Sequence, residues 1–271
     1  MGCFEQKKVS VGDSQLAVVE QGQGVPLLLV HGFPLDHSMW EFQIRELAGH
    51  CRVIAPDLPG FGASSPLTRE VQRMEDFADA LAGLLDQLGV TEPIVFCGLS
   101  MGGYIAWQFW RRHTSRLRGL ILCDTRAAAD APEVAEQRRV NAERVLREGP
   151  GFFAQMMLGR LFAPRNAQES SPIFTKIRDV MLATPPQSIA AALRGMAERP
   201  DARGWLPEIH LPCLIIVGEE DALSPPAEMQ QIANAIPGAQ MVTIPSAGHL
   251  APLEHPQAVN AAIREFLRQW S

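Results

Sequence analysis

The chain has 271 residues, 46% of them hydrophobic, and a formal net charge of −6. That is enough for one large domain with a sizeable core, or for a domain carrying an insertion. The acidic balance argues against a nucleic-acid partner, because phosphate binding needs a basic face, and no apolar run approaches the length of a membrane span.

The first residues, Met1-Gly2-Cys3-Phe4-Glu5-Gln6, lack the apolar core of a signal peptide. Gly2 invites N-myristoylation, but Gln6 stands where that signal wants Ser or Thr. Five cysteines contain no Cys-x-x-Cys pair, and Cys97, Cys123 and Cys213 sit in or beside apolar strand-like runs. Buried free thiols in a reducing, cytoplasmic setting are expected. No Cys and His spacing suggests a metal, and nothing calls for a cofactor.

Residues 4–9 and 15–20 read as a hairpin joined through Val11-Gly12-Asp13-Ser14. Pro26-Leu27-Leu28-Leu29-Val30 is a continuous apolar run, which suits a strand buried on both faces of a parallel sheet. It leads into His31-Gly32-Phe33-Pro34-Leu35-Asp36, after which Trp40, Ile44 and Leu47 recur at helical spacing. Residues 51–55 form the next strand. Val71, Met74, Phe77, Ala78, Leu81, Leu84, Leu85 and Leu88 mark one face of a helix that Gly89 can stop.

Pro93-Ile94-Val95-Phe96 then runs into Cys97-Gly98-Leu99-Ser100-Met101-Gly102-Gly103, and a further apolar segment follows. Strand, sharp Gly-x-Ser-x-Gly turn and helix make the nucleophile-elbow pattern. A turn this tight strains the central serine, and its neighbours must be almost free of side chain. The helix starting at Met101 offers unpaired amides and a positive dipole end beside the hydroxyl.

Leu120-Ile121-Leu122-Cys123 makes the sixth strand, closed by Asp124-Thr125-Arg126. From 127 to 205 strand-like runs vanish, and the segment reads as several helices punctuated by prolines. It is expected to be a cap inserted after the sixth strand, with 1–126 and 206–271 forming the core domain. Its Phe153, Met157 and Phe162 could line an adaptable apolar pocket or equally form the cap's own core. The sheet resumes at 213–217 and ends at 241–244; Ser224 could cap a helix beginning at Pro225-Pro226, and a final helix carries Val259, Ile263, Phe266, Leu267 and Trp270 on one face.

Alternating strands and helices predict a mostly parallel eight-stranded sheet flanked by helices. Ligands of such sheets bind at the carboxyl ends of the strands, where His31, Ser100, Asp124, Asp221 and His249 all fall. An alcohol needs a base within reach, and the base needs a group that fixes its tautomer. Ser100 is the candidate nucleophile, and His249, in a Gly-His loop after the last strand, the candidate base. Asp221 is preferred as the acid over Glu219, Glu220 and Asp124. The backbone N–H groups of Met101 and Phe33 are the expected donors to a carbonyl oxygen that gains charge.

The motifs His31-Gly32-Phe33-Pro34, Asp57-Leu58-Pro59-Gly60-Phe61-Gly62-Ala63-Ser64, Gly98-Leu99-Ser100-Met101-Gly102-Gly103, Gly218-Glu219-Glu220-Asp221 and Gly248-His249 together resemble the α/β-hydrolase-fold serine hydrolases over nearly the whole chain. Cys97 to Gly103 and Asp124-Thr125-Arg126-Ala127 are most similar to 3-oxoadipate enol-lactonases and nearby carboxylesterases. The resemblance implies a serine hydrolase of small-molecule esters, with lactone opening as the alternative. A non-catalytic, ligand-binding relative of the fold is the reading from another class. An enol-lactone substrate carries a carboxylate, for which Arg126, Arg160 and Arg194 are candidate partners. His31, Trp40, Arg126, Phe153, Met157, Phe162, Leu223 and Leu250 make up the expected pocket. Within the fold, epoxide hydrolases and haloalkane dehalogenases use a carboxylate nucleophile, whereas position 100 is serine.

Overall fold

The computed structural model describes residues 4–168 and 171–270; the Gly2 reading therefore lies outside the described residues. Eight strands form one sheet: β1 (Gln6–Val11), β2 (Ser14–Gln21), β3 (Pro26–Val30), β4 (Arg52–Pro56), β5 (Ile94–Leu99), β6 (Leu117–Cys123), β7 (Cys213–Gly218) and β8 (Gln240–Ile244). Their order is β1-β2-β4-β3-β5-β6-β7-β8. The β1–β2 and β2–β4 pairings are antiparallel and the rest are parallel.

The central strands β3, β5 and β7 are buried at every position, as their unbroken apolar runs require. The hairpin is tighter than expected. Val11 pairs with Ser14, leaving only Gly12-Asp13 as the turn, and Gly12 takes the φ of 55° that a two-residue reversal demands.

Helices α1 (Glu41–Leu47), α2 (Met74–Gln87) and α3 (Met101–His113) alternate with strands in the first half. The start of α2 is set by Asp76, whose carboxylate accepts the Arg73 amide at 2.9 Å, so Val71 lies outside the helix. Between β6 and β7 the described residues contain no strand. They hold α4 (Pro132–Glu148), α5 (Gly151–Leu161), α6 (Pro172–Ala183), α7 (Pro186–Ala197) and a short 3-10 turn. Helix α7 meets the core at residue 72: the Gln72 amide donates to the Ala191 carbonyl at 3.0 Å. A Cβ on Gly195 would stand 1.7 Å from the Gln72 carbonyl oxygen.

The last elements are α8 (Pro226–Ala235), α9 (Ala251–Glu254) and α10 (Pro256–Leu267). Ser224 does not cap α8. Pro225 holds the cap position, and the buried Ser224 gives its amide to Asp221 instead. Trp270 lies past α10 in a 3-10 turn, edge-on to Phe266 at 5.3 Å between ring centroids. Cys51, Cys97, Cys123 and Cys213 are free and buried. No helix among the described residues is long and apolar enough to cross a membrane.

A buried ion pair braces the loop after β4. Asp57 accepts the His37 amide at 2.8 Å, its Nδ1 at 2.7 Å and the Ala63 amide at 2.8 Å. Burial alone would raise the Asp57 carboxyl, but the His37 bonds and charge override it and hold it below the ordinary range. Burial would likewise lower His37, but Asp57 wins and raises it. The Asp57 contribution is complete above its unfolded value of 3.8 and is lost as pH falls through its folded value. The His37 contribution is complete below 6.5 and is lost as pH rises through its folded value. The Tm deficit of His37→Ala is therefore expected to be largest between pH 3.8 and 6.5 and to shrink on either side, as thermal melts across pH would read.

Candidate active site

The elbow has the backbone its glycines suggest. Ser100, between β5 and α3, has φ 53° and ψ −112°, a conformation that an L-residue keeps only when its surroundings impose it. The neighbours leave no space for side chains. A Cβ on Gly98 would lie 2.4 Å from the Gly102 carbonyl oxygen, and one on Gly102 would lie 2.4 Å from that of Val30. The Thr125 hydroxyl donates to the Ser100 carbonyl at 2.7 Å, tying the elbow to the end of β6. Among the described residues the Ser100 side chain has no hydrogen-bond partner.

His249 follows β8 and is buried apart from the edge it turns to the cavity. Its Nδ1 lies 2.8 Å from Asp221 Oδ2, so Nδ1 carries the proton and Nε2 is left as the acceptor. Asp221, after β7, also accepts the amides of Leu223 at 2.7 Å and Ser224 at 3.0 Å. Burial would raise this carboxyl, yet His249 and those amides hold it below the ordinary range.

The His249 loop is held from two sides. One Glu254 oxygen accepts the Gly248 amide at 2.8 Å; the other accepts the Ala163 amide at 2.9 Å and the Asn166 side-chain amide at 2.7 Å. The Leu250 amide donates to the Leu161 carbonyl at 3.0 Å.

Ser100 and His249 line one cavity of about 460 Å³, roofed by residues of α4, α5 and α7. Arg126, Phe153, Met157 and Leu223 from the expected pocket also line it, as does Phe33. The amides of Phe33 and Met101 donate to no group among the described residues, which leaves two N–H groups free beside the elbow.

Four expected pocket residues are elsewhere. His31 is completely buried: its Nε2 accepts the Leu58 amide at 3.0 Å and its Nδ1 faces the Gly32 carbonyl at 2.9 Å. Burial lowers its pKa, so it is a neutral strut between two loops. Trp40 is the inward-facing end of a 3-10 turn and lies wholly in the core. Phe162 turns away at the end of α5 to pack on Phe174, 5.7 Å between centroids. Leu250 caps α9 with its side chain buried.

The three expected cations also divide. Arg126 lines the cavity but pairs with Glu228 at 2.8 Å. Arg194 pairs with Glu143 at 2.7 Å on the outside. Arg160 lines the cavity, is exposed and has no ion pair among the described residues.

Tyr104, Arg138, Asn141, Leu193 and Met196 line the cavity without having been expected there. Helix α4 is mixed: polar Gln137, Arg138 and Asn141 line the cavity beside Val134, while Val140 is 50% exposed. Asp36, His37 and Asp57 bring donor atoms within 4.8 Å of one another, a spacing a metal ion could use. Their donors are already committed, Asp36 to the Ser38 amide and Asp57 to His37 and Ala63.

A model of the Alpha/beta hydrolase family matches residues 27–262. An esterase from Thermogutta terrifontis superposes with a TM-score of 0.94 and is 50% identical, covering 98% of both chains. An enol-lactonase from Burkholderia xenovorans LB400 gives a TM-score of 0.89 at 29% identity, covering 96% of this chain and 99% of the other. A haloalkane dehalogenase from Sphingobium indicum is 26% identical, over 98% of this chain and 96% of its own.

Proposed function

The chain belongs to the alpha/beta hydrolase family, and from that premise we propose that it is a serine hydrolase of carboxylic esters. Ser100 attacks the ester carbonyl, His249 Nε2 takes its proton, and Asp221 holds the imidazole in the required tautomer. The amides of Phe33 and Met101 receive the oxyanion, each contributing a factor of about 10²–10³. The alcohol leaves with the proton from His249. Water, activated by the same imidazole, then resolves the acyl-enzyme. The segment 127–205 acts as the cap that shapes the acyl site.

The observation that carries this reading is the strained hydroxyl of Ser100 sharing one cavity with a histidine whose Nδ1 is fixed on Asp221. An alcohol at the elbow supports this reading over carboxylate-nucleophile chemistry. Reduced, buried cysteines suit the cytoplasm. The partner is a small ester; no cofactor enters the mechanism.

Opening of a lactone that bears a carboxylate is the second reading. Arg160 favours it, being a cavity-lining cation with no ion pair among the described residues. Two measurements decide. A fluorophosphonate probe is expected to label Ser100, located by peptide mapping, and p-nitrophenyl butyrate is expected to be hydrolysed. An unlabelled wild type would point to a ligand-binding protein instead. Lactones turned over with simple apolar esters left intact would establish the second reading.

A further inference from the structure

Behind the Asp221–His249 pair lies a second carboxyl that the chemistry above leaves without a task. Asp124 ends β6 with φ 45° and is completely buried. Its Oδ1 accepts the Gly218 amide at 2.7 Å. Its Oδ2 is also buried, and no N–H or hydroxyl group among the described residues donates to it. The groups that act most strongly on Asp124 are Asp221, Cys123 and the Gly218 amide, and both aspartates meet Gly218, whose carbonyl accepts the Asp221 amide at 3.1 Å. The Asp221 carboxyl is within hydrogen-bond contact.

Two touching carboxyls in a dry site cannot both ionise, and one keeps its proton. The donors decide which. Asp221 faces His249 Nδ1 and two amides, an arrangement for an anion that only accepts. Asp124 faces a single amide and then the Asp221 carboxylate, an arrangement for an acid that accepts once and donates once.

We propose that Asp124 is a neutral carboxylic acid whose Oδ2 hydroxyl donates to the Asp221 carboxylate, which makes it a positioning residue for the acid–base pair. Burial and the Asp221 charge push the Asp124 carboxyl well above the ordinary range, in the same direction. The bond gives Asp221 a further donor beside His249 and the two amides. It also keeps the charge behind the imidazole at one, where a second anion would overstabilise the imidazolium. Only the catalytic consequence rests on the serine-hydrolase reading; the shared proton does not.

Asn reproduces the pattern of the neutral acid, with a carbonyl for the Gly218 amide and an N–H for Asp221. Leu removes both. Asp124→Asn is expected to keep kcat/KM within a few-fold and to leave its pH profile in place. Asp124→Leu is expected to lose at least about tenfold, as for a hydrogen bond to a charged group. The loss falls on kcat rather than KM, and the acidic limb moves to higher pH because Asp221, stripped of a donor, holds the imidazolium more tightly.

Two readouts need no turnover. Infrared difference spectra at neutral pH, wild type minus Asp124→Asn, are expected to show the carbonyl stretch of a protonated acid. The folded protein retains a proton that the unfolded chain releases above about 3.8. Wild type therefore loses stability with rising pH, and the Tm advantage of Asp124→Asn should widen from acid to neutral. Absence of the band, a Tm difference that does not change with pH, or an Asp124→Asn enzyme as inactive as Asp221→Asn would overturn the proposal. A band present in a protein that hydrolyses no ester would sink the hydrolase reading and leave the shared proton standing.

Discussion

Ser100→Ala is expected to lower kcat/KM for p-nitrophenyl butyrate by about 10⁴–10⁶-fold and to abolish fluorophosphonate labelling. The hydroxyl is the only atom removed. Alanine keeps the Cβ, so the φ of 53° remains equally strained and neither helix start nor sheet is relieved. The variant should melt within a few degrees of wild type. A residual rate is expected, because the Phe33 and Met101 amides and the cavity still bind the ester. KM should move little where it reflects binding. Equal rates for the two proteins would remove Ser100 from the reaction, and with it the role assigned to His249.

Gly195→Ala is expected to be the most damaging single methyl group in the fold. The added carbon would meet the Gln72 carbonyl oxygen at 1.7 Å, and the neighbouring amide of Arg73 at 3.1 Å. Both are backbone, so no rotamer change relieves the clash. Helix α7 must move off the core, and the Gln72 amide then loses the Ala191 carbonyl. Overpacking of this kind costs about 3 kcal/mol or more. For a chain of this size that is a Tm lower by roughly 6–12 °C. Gly159→Ala supplies the control. Gly159 lies within α5 with nothing within 4 Å of the new carbon, so the same change there should raise stability by about 0.5–1 kcal/mol. Melting curves for the two variants shifted the same way would show that helix propensity, not the close approach, governs position 195.

The sheet was legible in the sequence because its central strands are buried on both faces, which writes an unbroken apolar run. The elbow was legible because its demand for glycine is local: Gly98 and Gly102 are each required by an atom within a few residues or on the next strand. Strand ends also identified Ser100, Asp221 and His249 as residues of one sheet edge, and Asp221 and His249 are hydrogen-bonded there.

What was not legible depends on contacts made across the fold. His37 follows no strand, and its bond to Asp57 exists only once the loops after β3 and β4 meet. Helix α4 carries polar Gln137, Arg138 and Asn141 to the cavity, which a search for apolar lining residues does not find. Trp40 and Leu250 were expected in the pocket, but a turn sends each side chain into the core. Ser224 was a reasonable cap by type, yet Pro225 stands at the cap position and Ser224 gives its amide to Asp221.

The Glu254 clamp makes the residues that line the cavity unequal for anyone redesigning it. Leu161 gives its carbonyl to the Leu250 amide, and Ala163, two residues on, shares the Glu254 carboxylate with Gly248. Remodelling Leu161 to admit bulkier molecules disturbs the His249 loop with it. Val134, Met156 and Met157 line the same cavity with no side-chain hydrogen bond to that loop among the described residues, and Val134 and Met156 are partly open to solvent. New specificities should be sought there first, where side chains can be exchanged without moving the loop that carries His249.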